Sequence, residues 1–187
     1  MSQVGVLALQ GDVREHVRLL ASLGAQPVEV KTPERLASVD ALVIPGGEST
    51  TIGKMAVRFG MLEPLRAAIN AGLPVYGTCA GMILLAGSTT EGDQPLIGAL
   101  DVVVRRNAFG RQNESFETEL NVAGLDRPFH AVFIRAPWIE KVGSEVAVLA
   151  AIGDHPVMVR QGNILATSFH PELTGDGRIH QMLMDAV

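Results

Sequence analysis

Apolar and polar positions alternate along this chain in two different ways, and the change falls near its middle. In the first half, short unbroken apolar runs are separated by stretches with helical spacing. VGVLAL (4–9) suits a strand buried on both faces. Val13, Val17, Leu20 and Leu23 then recur at three- and four-residue steps before Gly24, which predicts an amphipathic helix with Asp12 placed to cap it and a glycine stop. PVEV (27–30) and ALVIP (41–45) predict two more strands, the latter running into Gly46-Gly47. A helical stretch through 61–71, a strand at LPVYG (73–77) and a helix at AGMILLAG (80–87) follow. Apolar runs alternating with helices predict an α/β fold, with a mostly parallel central sheet covered on both faces.

The second half has strand-like segments in close succession: LIGALDVVVRR, SFETELNV, FHAVFIR, EVAVLAAI, PVMVRQ and NILATSF. With few helices between them, they predict antiparallel additions or a mixed extension of the sheet, closed by a helix from about 175 to 186. No internal repeat, low-complexity tract or linker interrupts the chain, so residues 1–187 read as one domain. Ligands of open α/β sheets bind at the carboxyl ends of strands. That rule selects three places: Gly46–Ser49, Cys79 and His170.

Composition narrows the setting. Hydrophobic residues make up 47% of the chain and charged residues 19%, below the roughly 25% charge of ordinary soluble domains. A deep core or a surface covered by a partner accounts for that deficit. The net charge of −5 argues against nucleic acid and anionic membranes, which reward a basic face. A single cysteine makes no internal disulfide, which points to a reducing compartment. The start, MSQVGVLALQGD, lacks the basic region of an export signal, and the long uncharged stretch 67–90 is broken by Asn70, Gly72, Pro74, Gly77 and Gly81. The expectation is a cytoplasmic protein without a membrane span.

Each of the three places has a catalytic reading and a plain one. GTCAG (77–81) between a strand and a helix has the form of a nucleophile elbow, a strained turn that lifts Cys79 clear of the sheet, with the helix start favouring the thiolate. The plain reading is a buried cysteine after a strand. In SFHPEL (168–173) the proline biases His170 to an extended conformation, and residues two apart in an extended chain share a side. His170 and Glu172 then form a base with its orienting carboxylate; the plain reading is a capped turn. In PGGEST (45–50) two glycines free backbone N–H groups for a developing oxyanion, or Ser49 or Thr50 simply caps a helix. His16, His130, His155 and His180 lack a matching carboxylate after a strand and read as ordinary core or surface residues. No phosphate-binding loop is present. All three signals in one chain, at strand ends that one sheet brings together, favour the catalytic reading.

GTCAG, PGGES and HPE together resemble the class I, triad-type glutamine amidotransferases, whose domain is a three-layer flavodoxin-like α/β fold. LALQGDVREH, PGGESTT, RRNAFGRQNESFE (105–117), FIRAP (133–137) and SFHPELTGD are similar, over essentially the whole chain, to the glutaminase subunits of two-protein pyridoxal 5′-phosphate synthases. The resemblance implies hydrolysis of L-glutamine to glutamate and ammonia, and transfer of the ammonia to a synthase subunit. That partner is a β/α barrel, and the full complex is a large double ring. It implies no cofactor or metal for this chain, pyridoxal phosphate being the product of the complex. Cys79 is then the nucleophile, His170 the base and acid, and Glu172 its orienter, with the N–H groups of Gly47 and Ala80 at the oxyanion.

Free glutamine carries an α-carboxylate and an α-ammonium, so its pocket needs a cationic fork and acceptors. Arg135 with Ile134 in FIRAP, Arg106 in RRN, and Gly46, Gly47, Glu48 and Ser49 in the glycine loop are the residues expected there. Arg105 and Arg111 compete with Arg106 for that role. The glycine pair also permits two peptide orientations, which a partner can select. Two other readings stand beside this one. Cysteine hydrolases of the PfpI type share the elbow but take their histidine directly after the cysteine, where Met82 and Ile83 stand here. An inactive binding protein of the same fold is marked by a lost nucleophile or histidine, and both are present.

Overall fold

The structure is a computed structural model that describes residues 1–109 and 115–187. The arginine of the central motif at 111 lies outside the described residues. The chain begins β1 (Gln3–Leu7), α1 (Val13–Ser22), β2 (Gln26–Val30), α2 (Pro33–Leu36), β3 (Ala41–Ile44), α3 (Ser49–Arg58), α4 (Leu62–Asn70), β4 (Val75–Thr78) and α5 (Ala80–Leu85). It continues β5 (Ala86–Thr89), β6 (Leu100–Arg105), β7 (Ser115–Leu120), β8 (Phe129–Ile134), β9 (Trp138–Val142), β10 (Ala147–Ile152), β11 (His155–Gln161) and β12 (Ile164–Thr167). A 3-10 turn (Pro171–Leu173) and α6 (Arg178–Met184) end it.

The central sheet has seven strands in the order β10-β11-β12-β4-β3-β1-β2. The five strands from β12 to β2 are parallel, and β11 and β10 add antiparallel at one edge. Reading β2-β1-β3-β4-β12 gives the doubly wound order 2-1-3-4-5 of flavodoxin-like folds. Strand alternation explains the two faces. Leu7, Leu42, Ile44, Val75, Ile164 and Ala166 point to one core layer, with Ile52, Ala56, Leu65 and Leu84 from α3, α4 and α5. Val4, Val6, Ala41, Val43, Tyr76 and Leu165 point to the other, with Leu20 of α1 and Ile179 and Leu183 of α6. The central strands are buried on both sides, which is why they read as unbroken apolar runs.

Several boundaries differ from the pattern. The predicted helix at 80–87 ends at Leu85, because Ala86 begins β5 and pairs in parallel with Leu100 of β6. β9 was hidden in APWIEKV and joins β6 to make a three-stranded sheet, while β7 and β8 form a separate hairpin. NILATSF is no antiparallel addition; its β12 is an inner parallel strand beside β4. The last helix is shorter than expected, Arg178–Met184.

Candidate active site

The parallel strands β1, β3, β4 and β12 bring their carboxyl ends to one edge, and the register sets what meets there. Thr78 of β4 pairs with Thr167 of β12, and Ile44 of β3 pairs with Gly77. Cys79 is therefore one residue past β4, beside the segment that leads to His170. Its backbone has φ +49° and ψ −100°, a strained conformation for a residue with a Cβ. Tight packing enforces it. A Cβ on Gly77 would lie 2.6 Å from the Gly81 carbonyl carbon, and one on Gly81 would collide with the Ile44 oxygen. The two glycines are needed because the turn folds onto itself and onto β3. Cys79 keeps 8% exposure, and that opening faces a pocket.

His170 is fixed from several sides. The Thr167 hydroxyl donates to the Phe169 carbonyl at 3.0 Å and so accepts from the Tyr76 hydroxyl at 2.9 Å. The His170 N–H donates to the Val132 carbonyl of β8 at 2.9 Å. Its Nδ1 lies 2.7 Å from Glu172 Oε1, with both side chains buried. Burial alone would push the His170 pKa down; its contacts with Cys79 and Glu172, and their charges, instead raise it to about 10. The imidazolium is thus the stabilised form in this surrounding.

The glycine loop sits against the same ring. A Cβ on Gly46 would meet His170 Cε1 at 2.6 Å, so only glycine lets the loop lie this close. Gly46 accepts at its carbonyl from the Asp12 N–H at 3.0 Å, and the Glu48 N–H donates to Gln10 Oε1 at 2.9 Å. The cap of α3 is neither Ser49 nor Thr50 but Glu48, whose carboxylate accepts from the N–H groups of Thr50 and Thr51. Burial pushes the Glu48 carboxyl up, but the hydrogen bonds from Thr51 and Thr50 hold it below its ordinary value.

One pocket is lined by Gly47, Glu48, Ser49, Cys79, Ala80, Ile83, Arg106, Asn107, Ile134 and Arg135. An adjoining one shares Cys79, Gly47, Glu48, Ile134 and Arg135 and adds Gln10, Asp12 and His170. The expected residues are therefore brought together, Gly46 standing just behind Gly47 against the histidine. Arg106 donates to Gln94 Oε1 at 3.1 Å and lies 3.4 Å from Glu48 Oε1. Its competitor Arg105 is paired with Glu140 instead. Arg135 has φ +44°, a left-handed turn at the end of β8 that directs the chain sharply at the pocket rim.

Some contributors were not read from the sequence. Asp12 precedes α1 but makes no side-chain cap; its Oδ2 lies 3.6 Å from His170 Nδ1. Burial pushes the Asp12 carboxyl up from its ordinary value, against the opposing pull of His170. Gln10 and Gln94 carry no pattern signal, since an isolated amide in a loop looks like any other. Asp12, His170 and Glu172 also form a grouping with ligand atoms within 4.8 Å of one another. The 2.7 Å from Nδ1 to Oε1 is a direct hydrogen bond, and a cation would have to separate those two atoms.

Comparison with known proteins gives the family and the fold. The profile of the SNO glutamine amidotransferase family matches residues 6–187. The chain is 64% identical over 188 residues to pyridoxal 5′-phosphate synthase subunit PdxT of Frankia alni, covering 99% of this chain and 94% of that protein. It is 62% identical over 187 residues to the protein of the same name from Streptomyces avermitilis, covering 98% and 93%. A crystal structure of a glutamine amidotransferase superposes with a TM-score of 0.94 at 52% identity, over 98% of this chain and 97% of the other. A chain of PurLQS from Thermotoga maritima shares the fold, with a TM-score of 0.68 at 17% identity over 99% of each chain.

Proposed function

We propose, from the premise that this chain belongs to the SNO glutamine amidotransferase family, that Cys79, His170 and Glu172 are the catalytic triad of its glutaminase reaction. The chain is the glutaminase subunit of a pyridoxal 5′-phosphate synthase: it hydrolyses L-glutamine through a cysteine thioester and delivers ammonia to a partner synthase subunit. The observation that carries the triad is the buried 2.7 Å pair of His170 Nδ1 and Glu172 Oε1, with Cys79 in the same pocket.

The residues divide the reaction between them. Cys79 yields its proton to His170, and Sγ attacks the side-chain amide carbon of glutamine. The C–S bond forms as the carbonyl electron pair moves to oxygen, where the N–H groups of Gly47 and Ala80 receive it. His170 returns the proton to the amide nitrogen, the C–N bond breaks and ammonia leaves. Water then attacks the γ-glutamyl thioester, His170 takes its proton, and glutamate is released as the thiol re-forms. Glu172 holds the ring tautomer and supports its charge. Arg106 and Arg135 meet the α-carboxylate. Glu48 is the acceptor for the α-ammonium, and Gly46, Ser49 and Ile134 shape the remaining wall.

The whole chain acts as one domain, in the cytoplasm, on a β/α-barrel partner within a double ring. Its acidic charge, lone cysteine and motifs support that reading, and no helix among the described residues is long and apolar enough to cross a membrane. The test is glutamate release from glutamine by the chain alone and with a synthase subunit. Partner-stimulated release that disappears in Cys79→Ala, with the fold and partner binding retained, is the expected result. Hydrolysis retained in that variant would refute the triad.

A further inference from the structure

We infer that His16 is a positioning residue for the triad: its Nε2–H is aimed at the second oxygen of the Glu172 carboxylate, and His180 fixes the ring that carries it. This rests on the triad reading given above. Glu172 Oε1 is engaged by His170, but Oε2 is buried and has no hydrogen-bond partner of its own among the described residues. A buried carboxylate oxygen left bare is costly. His16 Nε2, on α1, lies 3.7 Å from that oxygen and 3.3 Å from the hydroxyl of Thr78, the residue before the nucleophile. At 3.7 Å the N–H acts on Oε2 as an oriented dipole rather than as a hydrogen bond.

The direction of that dipole follows from the other ring nitrogen. His16 Nδ1 is 2.8 Å from His180 Nε2, on α6, and only one of the two can carry the shared proton. Both rings are fully buried, and burial holds both neutral, His16 well below its ordinary value and His180 at about 4. If His16 carried its proton on Nδ1, its Nε2 lone pair would face a carboxylate, and His180 would bury an N–H at Nδ1, an atom without a partner. If His16 carries it on Nε2, the N–H faces Thr78 and Glu172. His180 then donates from Nε2, and only a lone pair is left bare. The second arrangement avoids both penalties.

The remaining neighbours agree with this assignment. Tyr76 of β4 packs edge-on against His180, and its hydroxyl is committed to Thr167, so it does not compete for either ring. The titratable groups set against His16 among the described residues are Glu172, His180 and His170, the two imidazoles opposing a charge on it. The 3-10 turn, α1, β4 and α6 thus meet through one polar cluster, Glu172, His16, Thr78 and His180, inside an apolar layer. Its consequence is that Oε2 is held inward and Oε1 is left to face His170.

Ring-nitrogen NMR of the full chain, with histidine labelled by 15N, reads the tautomers directly. His16 and His180 are both expected as Nε2–H; a proton on His16 Nδ1 overturns the inference irrespective of any activity. Three substitutions then separate position from packing, assayed with the synthase subunit present. His16→Gln offers an N–H at the place of Nε2, His16→Asn offers one only on the Nδ1 side, and His16→Phe keeps the bulk with neither. The expected result is a loss of about ten- to a hundredfold in kcat for the Asn and Phe variants at nearly unchanged KM, with the Gln variant retaining most of its rate. Unimpaired kcat in His16→Phe, or equal losses in all three, overturns the inference. If His16→Phe does not fold, the tautomers and the contrast between Gln and Asn decide it. Cys79→Ala in the same assay separates the two readings: hydrolysis retained there removes the triad, whereas a dead Cys79→Ala beside an unimpaired His16→Phe removes only the role of His16.

Discussion

The backbone N–H of Cys79 donates a 2.7 Å hydrogen bond to the carbonyl of Thr167. That one bond ties the proposed nucleophile to the strand that leads to its proposed base, so the approach of sulfur and imidazole starts from the sheet register. Parallel strands offer few ways to slip when both faces are buried. The elbow is therefore held by rigid elements, and changes there are expected to be felt as both activity and stability.

The strained elbow predicts an opposition between the two. Cys79→Gly removes the Cβ that makes φ +49°, ψ −100° unfavourable. It is expected to abolish glutamine hydrolysis while raising stability by about 1 kcal/mol. Chemical denaturation beside an activity assay checks it, and a destabilised glycine variant would contradict the strain.

Gly81→Ala has the contrary effect. The added methyl would press into the Ile44 oxygen, a backbone atom that cannot swing aside. A loss of about 1–3 kcal/mol or more is expected, with α5 pushed away from β3. Thermal unfolding of the purified variant, or its failure to accumulate as soluble protein, is the readout.

Glu172→Gln keeps the size of the side chain but removes the charge that supports the imidazolium. The expected result is a fall in kcat of at least about a hundredfold with little change in KM. A steady-state assay with the synthase subunit measures it; a large KM effect at constant kcat would place Glu172 in binding instead.

Arg135→Ala and Arg106→Ala are expected to raise KM for glutamine by about tenfold or more at modest cost in stability, since charge-assisted bonds to a carboxylate are worth about 1.5–3 kcal/mol. Arg105→Ala, whose side chain pairs with Glu140 at a solvated edge, should leave KM where it was. Comparing the three KM values in one assay series separates pocket from surface.

Stability should fall on both sides of neutrality for different reasons. His16 and His180 are buried neutral, and their folded pKa values are depressed, His180 to about 4. The unfolded chain takes up those protons first, so their contribution is present above about pH 6.5 and is lost as the pH falls toward 4. For His180 alone this amounts to about 3 kcal/mol. His170 is the reverse case: its folded pKa is raised to about 10, so its contribution is present below about 6.5 and is lost as the pH rises through 10. Denaturant midpoints across the range from acid to alkaline pH test both limbs, and His180→Leu should flatten the acid one.

The parallel core was legible because its inner strands β1, β3, β4 and β12 are buried on both faces and carry short unbroken apolar runs. The proposed triad could be picked out because Cys79 and His170 follow such strands within a short frame of glycine or proline, with Glu172 two residues on. What was missed has equally physical causes. β5 and β9 are short, partly exposed strands at sheet edges, with weak patterns of their own. His16 looked like one more residue on an amphipathic helix, and His180 like another, because their meeting depends on α1 and α6 packing on the same face across the length of the chain. Glu48 as a cap broke the usual preference for Ser, Thr, Asp or Asn, and it is also drawn toward Arg106.

Because β12 is inserted between β4 and β11, a strand from the final quarter of the polypeptide completes the middle of the central sheet. During synthesis Cys79 therefore exists long before the proposed base His170, and a fragment that stops short of β12 has the thiol without the imidazole. Closing that gap requires contacts between distant parts of the sequence, which makes folding slow relative to a helical protein of this size. The site is thus assembled only when the last inner strand is in place.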